Sequence, residues 1–437
     1  MATTAGAKKG LWSTIRRIAA SDRISGLIML GFALTGLVLA NLPATAHAFE
    51  TVAETHLFIP YTNLDLPIGH WAQDGLLTIF FLTVGLELKQ ELTTGSLANP
   101  KAAAVPMLCA VGGMIAPPIL FLAVTALFSQ IGPGEPGTLI LTTTGSSIPF
   151  SEMSHGWAVP TATDIAFSLA VLALFAKALP GSIRAFLMTL ATVDDLLAII
   201  LIAVFFSSIN AWYWFIGIAV CAAIWAYLVR LKKVPWIAVG IVGILAWIMM
   251  FEAGVHPALL ALPIFALFAT GVHFESMSPL LLASPLVIAL IVALVVGKPL
   301  GIITTAWLAT HVGGLKMAKG LRVRDMIPAA VACGIGFTVS FLIASLAYKN
   351  AELSAEARFG VLVASLIAAA ISGVLLSRQS KRFEKAAAAV AADAEDDESI
   401  DGDGIGQPSH TTEPTTPTEH PGTLADGTAS VEIDFRH

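Results

Sequence analysis

Four ionisable residues stand in stretches where a side chain of their type is costly. Asp164 lies in Val-Pro-Thr-Ala-Thr-Asp-Ile-Ala-Phe (159–167), and Asp194 and Asp195 interrupt the apolar run from Ala185 to Phe206. Lys298 sits in Val-Val-Gly-Lys-Pro-Leu-Gly (295–301), after more than twenty uncharged residues. A charge at the centre of a bilayer costs about 2.5–3.5 kcal/mol on insertion scales. Three carboxylates and one ammonium in such places point to an intramembrane ion site. Carboxylates are hard oxygen ligands for small cations, and they also hold protons. A group that takes either a proton or a cation, never both, couples the two by competition. Adjacent carboxylates at 194 and 195 diverge by about 100° on a helix, so one can face a cavity while the other faces a partner. Lys298 is the natural counter-charge for one of them. A buried Asp–Lys pair that only fixes helix packing would leave two carboxylates unexplained.

Breaks in the backbone accompany these charges. Pro160, with Thr161 and Thr163, can interrupt a helix just before Asp164. Cys333-Gly334-Ile335-Gly336-Phe337-Thr338-Val339-Ser340 places two glycines and two hydroxyls in the middle of an apolar segment. Small residues also permit close helix packing, so Gly334 and Gly336 gain weight only beside the charges. Non-helical backbone at membrane depth survives where protein or a water-filled cavity lines it.

The elements that position these residues follow from composition. Of 437 residues, 56% are apolar and only 12% charged, against about 25% charged in soluble domains. A water-soluble enzyme is thereby disfavoured, and a multispanning all-α membrane protein remains. Twelve acids against one base after residue 390 leave the rest mildly basic, so the overall charge of −6 says nothing about a nucleic-acid partner, and none is expected. Cys109, Cys221 and Cys333 each sit in an apolar run and read as packing residues. The basic stretch before the first apolar segment imitates a secretory signal, but ten more hydrophobic segments follow. A first span that stays attached fits better.

Apolar segments lie near 25–42, 74–88, 102–128, 158–176, 182–206, 212–229, 234–250, 254–270, 284–307, 326–348 and 358–377. Positive charge on the connections orients them. The alternation of basic and base-free connections holds up to Arg230, Lys232 and Lys233, then fails once. Loop 271–283 has no Lys or Arg where an inside loop is due, whereas 308–325 carries Lys316, Lys319, Arg322 and Arg324. The expectation is about ten full crossings plus one re-entrant or surface segment at 254–270, with both termini cytoplasmic. Three regions result: a basic cytoplasmic N-terminus at 1–23, a transmembrane unit at 24–380, and an acidic tail at 386–437. The tail holds almost no large apolar residues and is expected to be disordered.

At these residues the sequence resembles the NhaA family of bacterial sodium/proton antiporters. The resemblance rests on Phe-Phe-Leu-Thr-Val-Gly-Leu-Glu-Leu-Lys (80–89), Ala-Thr-Asp-Ile-Ala-Phe (162–167) and Asp-Asp-Leu (194–196). Gly-Lys-Pro-Leu-Gly (297–301) and Cys-Gly-Ile-Gly-Phe-Thr (333–338) complete the ordered set. It implies an inverted-repeat transporter with two discontinuous helices, an architecture for which this family is itself an example. It further implies Na⁺ or Li⁺ at Asp195 and Asp194, with Asp195 the direct ligand and Asp194 pairing with Lys298 in one state. Thr163 and Asp164 match the unwound crossing, where the carboxylate balances the positive ends of half-helices and Lys298 the negative ends. Glu87 and Glu91 match acidic positions of a cytoplasmic funnel, and His256 a histidine linked to pH response. Segment 56–70 matches a periplasmic hairpin between protomers, implying a possible homodimer.

The resemblance has departures. Gln90 replaces a basic residue, and the 129–157 connection is long. Gly-Val-His-Pro (254–257) runs almost directly into Leu-Pro-Ile-Phe-Ala-Leu-Phe-Ala (262–269), as though one helix end, a cytoplasmic loop and one helix start were missing. The implied activity is electrogenic export of Na⁺ or Li⁺ for inward protons across the bacterial cytoplasmic membrane, serving pH and sodium homeostasis. No cofactor is implied, and no Gly-x-x-x-x-Gly-Lys-Ser/Thr string suggests ATP. Two rivals are a degenerate, non-transporting relative and an intramembrane aspartyl protease using Asp164 and Asp195. Against the protease, Lys298 would hold a carboxylate ionised, and no Gly-x-Gly-Asp string lies in a span.

Overall fold

The computed structural model describes residues 22–58, 65–70, 100–132, 135–141, 145–176, 179–206, 213–231, 235–252, 279–315 and 321–400, with a few single positions between them. Outside them lie the segments at 74–88 and 254–270, the residues Glu87, Glu91 and His256, positions 1–21, and the tail beyond 400.

The described chain begins with α1 (Asp22–Asn41) and α2 (Ala46–Glu54). A short hairpin follows, in which β1 (His56–Phe58) pairs antiparallel with β2 (Asp65–Pro67), Leu57 opposite Leu66. His56 Nδ1 lies 2.9 Å from Asp65 Oδ1, both side chains being exposed. The next helix, α3 (Pro100–Ile131), has 32 residues and three internal prolines. At about 48 Å it exceeds the hydrocarbon thickness of about 30 Å. Beyond it the long 129–157 connection folds into a second hairpin, β3 (Thr138–Ile140) with β4 (Ser147–Pro149), and a turn of helix, α4 (Phe150–Ser154). Leu139, Leu141 and Ile148 of this hairpin are buried, so the insertion is packed down.

The 3₁₀-helix His155–Thr161 and α5 (Ile165–Phe175) form one bent pair, at 48°. Helix α6 (Gly181–Phe205) carries the two adjacent aspartates. Helices α7 (Trp214–Val229) and α8 (Trp236–Glu252) pack on each other. They leave Ile237, Ile244 and Ile216 exposed, as a lipid-facing surface requires. Helix α9 (Pro285–Ile291) continues through a π-helical stretch, Val292–Gly297, into α10 (Lys298–His311). A 3₁₀ turn (Val323–Met326), α11 (Ile327–Ala332) and α12 (Phe337–Ala347) make the second bent pair, at 59°. The last helix is α13 (Ala351–Ile400).

Among the described residues, four helices are long and apolar enough to cross a membrane, or six with each bent pair counted as one span. The protein is a helical, multispanning membrane protein. Helix α3 packs along α10, where a Cβ on Gly301 would collide with the Gly112 carbonyl. The three cysteines are free and buried.

Helix α13 runs on through residues 386–400, into the acidic tail. The run Ala-Ala-Ala-Ala-Val-Ala-Ala after Lys385 is rich in alanine, the strongest helix former, which suits the continuation of α13.

Candidate functional site

Both bent pairs open at the same place. Ala162 to Asp164 leave the helical conformation between the 3₁₀-helix and α5, and Cys333 to Gly336 separate α11 from α12. Pro160 lies inside the 3₁₀-helix, so the interruption falls just after Thr161 rather than at the proline. The Asp164 N–H donates to the Ile335 carbonyl at 2.7 Å, stitching the two breaks together.

Asp164 is the N-cap of α5, its Oδ1 accepting from the Phe167 N–H at 3.0 Å. Its Oδ2 accepts from the Thr338 hydroxyl at 2.7 Å and the Thr338 N–H at 3.3 Å. One buried carboxylate therefore faces the first turns of two half-helices, the end where a helix carries partial positive charge. Ser168 answers at the opposite end, its Oγ donating to the Ala332 carbonyl at 2.8 Å, where α11 ends.

Lys298 is the counterpart. Its Nζ donates to Asp194 Oδ2 at 2.8 Å and to the Thr161 carbonyl, the last residue of the 3₁₀-helix. Lys298 and Asp194 are 0% and 1% exposed. The Thr163 hydroxyl lies 2.6 Å from the same Asp194 Oδ2 and 3.0 Å from the Cys333 carbonyl. It has one hydrogen and can donate to only one of them at a time. Asp194 Oδ2 is thus shared, while Asp194 Oδ1 is buried without a hydrogen-bond partner among the described residues. Asp195, next on α6, is equally buried.

Close backbone approach holds these pieces in register. A Cβ on Gly334 would lie 2.5 Å from the Leu294 carbonyl, inside the π-helical stretch, and one on Gly336 3.2 Å from the Ala162 carbonyl. Such π-turns widen a helix locally and recur at functional sites. This one ends immediately before Lys298.

The structure therefore brings together Thr163, Asp164, Asp194, Lys298, Gly334, Gly336 and Thr338, with Asp195 adjoining them on α6. Sequence reasoning missed the Thr161 carbonyl as an ammonium partner, Ser168 and the π-turn. Of these only Ser168 left a signal, as a lone hydroxyl one turn after Asp164 in an apolar helix. The oxygens of Asp194, Thr163 and Cys333, with the carboxylate of Asp195, are hard donors suited to a small cation. Asp164 has both oxygens engaged by helix ends, Oδ1 by Phe167 and Oδ2 by Thr338.

Comparison with known sequences bears on this geometry. The sequence model of the family described as Na+/H+ antiporter 1 matches residues 16–145, 136–261 and 258–376. The Na(+)/H(+) antiporter NhaA of Bifidobacterium longum is 92% identical over 472 positions, covering the whole of both chains. That of Bifidobacterium breve is 81% identical, again over the whole of both. The Na(+)/H(+) antiporter NhaA 1 of Kineococcus radiotolerans is 34% identical over 92% of this chain and 96% of its own. The B. longum alignment spans 472 positions against 437 residues here, so 35 positions have no counterpart in this chain. The family match itself restarts at 258–261, where the sequence reading locates a missing helix end, loop and helix start.

Proposed function

This chain belongs to the Na+/H+ antiporter 1 family, and on that premise we propose that it exports Na⁺ or Li⁺ in exchange for inward protons by alternating access. The observation that carries the reading is the shared oxygen of Asp194, engaged at once by Lys298 and Thr163 in a buried crossing of two broken helices. In the conformation described, the ammonium stands where an alkali cation would be held. When the cation arrives it displaces Lys298 from Asp194. It is then held by the carboxylates of Asp194 and Asp195, the Thr163 hydroxyl and the Cys333 carbonyl. Lys298 keeps its bond to the Thr161 carbonyl meanwhile. Protons arriving from the other face neutralise the carboxylates and release the cation. More proton charge enters than sodium charge leaves, so the exchange is electrogenic. Asp164 stays with the helix ends and holds the crossing together through the cycle.

Around this core we place about ten full crossings in an inverted repeat, with the 254–270 segment re-entrant or on the surface. The protein sits in the bacterial cytoplasmic membrane with both termini cytoplasmic, as its positive charge distribution favours. Two protomers would pair as a homodimer through the segment 56–70 that holds the β1–β2 hairpin.

Two measurements test this. In everted vesicles, added Na⁺ should collapse a pre-formed pH gradient with the native chain and leave it standing with Asp195→Asn. Exchange by Asp195→Asn at the native rate would remove the site assignment. Growth of a salt-sensitive strain lacking its own antiporters should be restored by the full chain. Failure there would mean that transport was lost with the 35 positions.

A further inference from the structure

A second buried carboxylate stands apart from the crossing. Glu356, on the first turns of α13, is 2% exposed. Its Oε1 accepts from the hydroxyl of Ser284, the residue that precedes α9, and its Oε2 has no hydrogen-bond partner among the described residues. Ser284 itself is 1% exposed, and its side chain caps no N–H of α9. The two helices approach closely one turn further in, where Gly360 meets Val287 and Leu290. Glu356 therefore joins the start of the helix that carries Lys298 to the start of the last helix.

The surroundings hold little that would answer a fixed charge. Among the elements chiefly packed against α13, namely α5, α9, the π-turn, α11 and α12, none carries an acidic or basic side chain. On α13 itself, Glu352 lies one turn earlier with the same sign, and Arg358, two positions on, stands about 200° further round the helix. Tyr348, just before α13, donates its hydroxyl to the Met153 carbonyl at 2.7 Å. Along α13, at about 1.5 Å per residue, Glu356 is about 14 Å from Ser365. The Ser365 Oγ accepts from the Phe337 N–H at the crossing. On the orientation proposed above, Glu356 lies towards the outer face.

We propose that Glu356 is a second proton-binding carboxyl of the transport path, placed outside the crossing and closed off in this conformation. The inference rests on the antiport reading. A proton, not an alkali ion, is the ligand, because one unpartnered oxygen and one hydroxyl cannot replace the shell of several oxygens that a hard cation takes. The proton bonds to Oε2 on the outward-open side and leaves towards the crossing as the pathway closes.

The full chain in proteoliposomes tests this by infrared difference spectroscopy and by transport. Acidifying the outer face should produce the C=O band of a protonated carboxyl, absent from Glu356→Gln and restored, at a shifted position, in Glu356→Asp. Glu356→Gln should also slow proton-coupled Na⁺ efflux about tenfold, or about 1.4 kcal/mol of barrier, and flatten its dependence on outer pH. If the native chain exchanges ions and Glu356→Gln does so with the same rate and outer-pH dependence, the proposal is overturned. A lowered unfolding temperature with no missing band also overturns it, leaving a helix clamp. If Glu356→Gln does not fold, Ser284→Ala must move the band, and an unmoved band counts against the proposal. Should the native chain show no exchange at all, the antiport reading falls, and the band alone still decides whether Glu356 takes up a proton.

Discussion

Replacing Lys298 by Met strands the carboxylate of Asp194 in the interior. With Lys298 0% and Asp194 1% exposed, water cannot take the place of the ammonium, and the Thr163 hydroxyl is the remaining described donor to Oδ2. Removing one partner of a buried pair costs about 3–5 kcal/mol. Replacing both partners, by Lys298→Met with Asp194→Asn, removes the stranded charge and leaves an amide within reach of Thr163. The double variant should recover most of the loss, giving a coupling of about 2–3 kcal/mol in the cycle. The assay is denaturant unfolding of purified protein in detergent for the native chain, both single variants and the double. Because the pair is buried, the coupling should be nearly unchanged between low and high salt. A Lys298→Met protein as stable as the native one would refute the reasoning. So would a double variant no better than the Lys298 single variant, since the loss would then come from packing of the lysine stem.

Three further outcomes are expected. Asp164→Ala removes the cap of α5 and the anchor of α12 together, and at about 1 kcal/mol or more for each it should destabilise by about 2–4 kcal/mol. Hydrogen exchange should rise in the first turns of both helices, and a rise confined to α5 would contradict the shared-cap geometry. Gly334→Ala drives a Cβ to 2.5 Å from the Leu294 carbonyl. Overpacking of about 1–3 kcal/mol should lower the unfolding midpoint and abolish Na⁺-driven collapse of the pH gradient, whereas native-like exchange would mean that the π-turn yields freely. Thr163→Val leaves the Asp194–Lys298 pair intact, so folding should lose only about 1 kcal/mol. The half-saturating Na⁺ concentration should rise about tenfold, or about 1.4 kcal/mol, and an unchanged value would remove the hydroxyl from the cation's ligand set.

Charges were the legible part of this molecule. Asp164, Asp194, Asp195 and Lys298 announce themselves because each contradicts the apolar sequence around it. Gly334, Gly336 and Thr338 become informative only in that company. The strings around them carried the family resemblance, and the family is the one that the sequence comparisons show. What stayed hidden is mostly main chain. The Thr161 carbonyl that receives Lys298 is one of the acceptors freed where the helix stops, and any residue type would supply it. Pro160, with Thr161 and Thr163, pointed to a break just before Asp164, and the chain opens between Thr161 and Asp164 with Pro160 in the 3₁₀ turn that precedes it. The π-turn at 292–297 reads as ordinary apolar helix, since Val, Ala and Leu carry no mark of one residue too many per turn. The tail left a weaker signal: its lack of large apolar residues speaks against a core, while the alanines after Lys385 are compatible with the helix that continues to Ile400.

The π-turn before Lys298 also sets a phase. Each residue of a helix turns its neighbour by about 100°, so the widened loop decides the compass bearing on which the ammonium leaves α10. Substitutions among Val292, Ala293, Leu294, Val295 and Val296 that keep their bulk leave that bearing alone. Gaining or losing a single position there would swing the lysine about a quarter of a circle away from α6. The length of this stretch, more than its composition, is what selection has to guard.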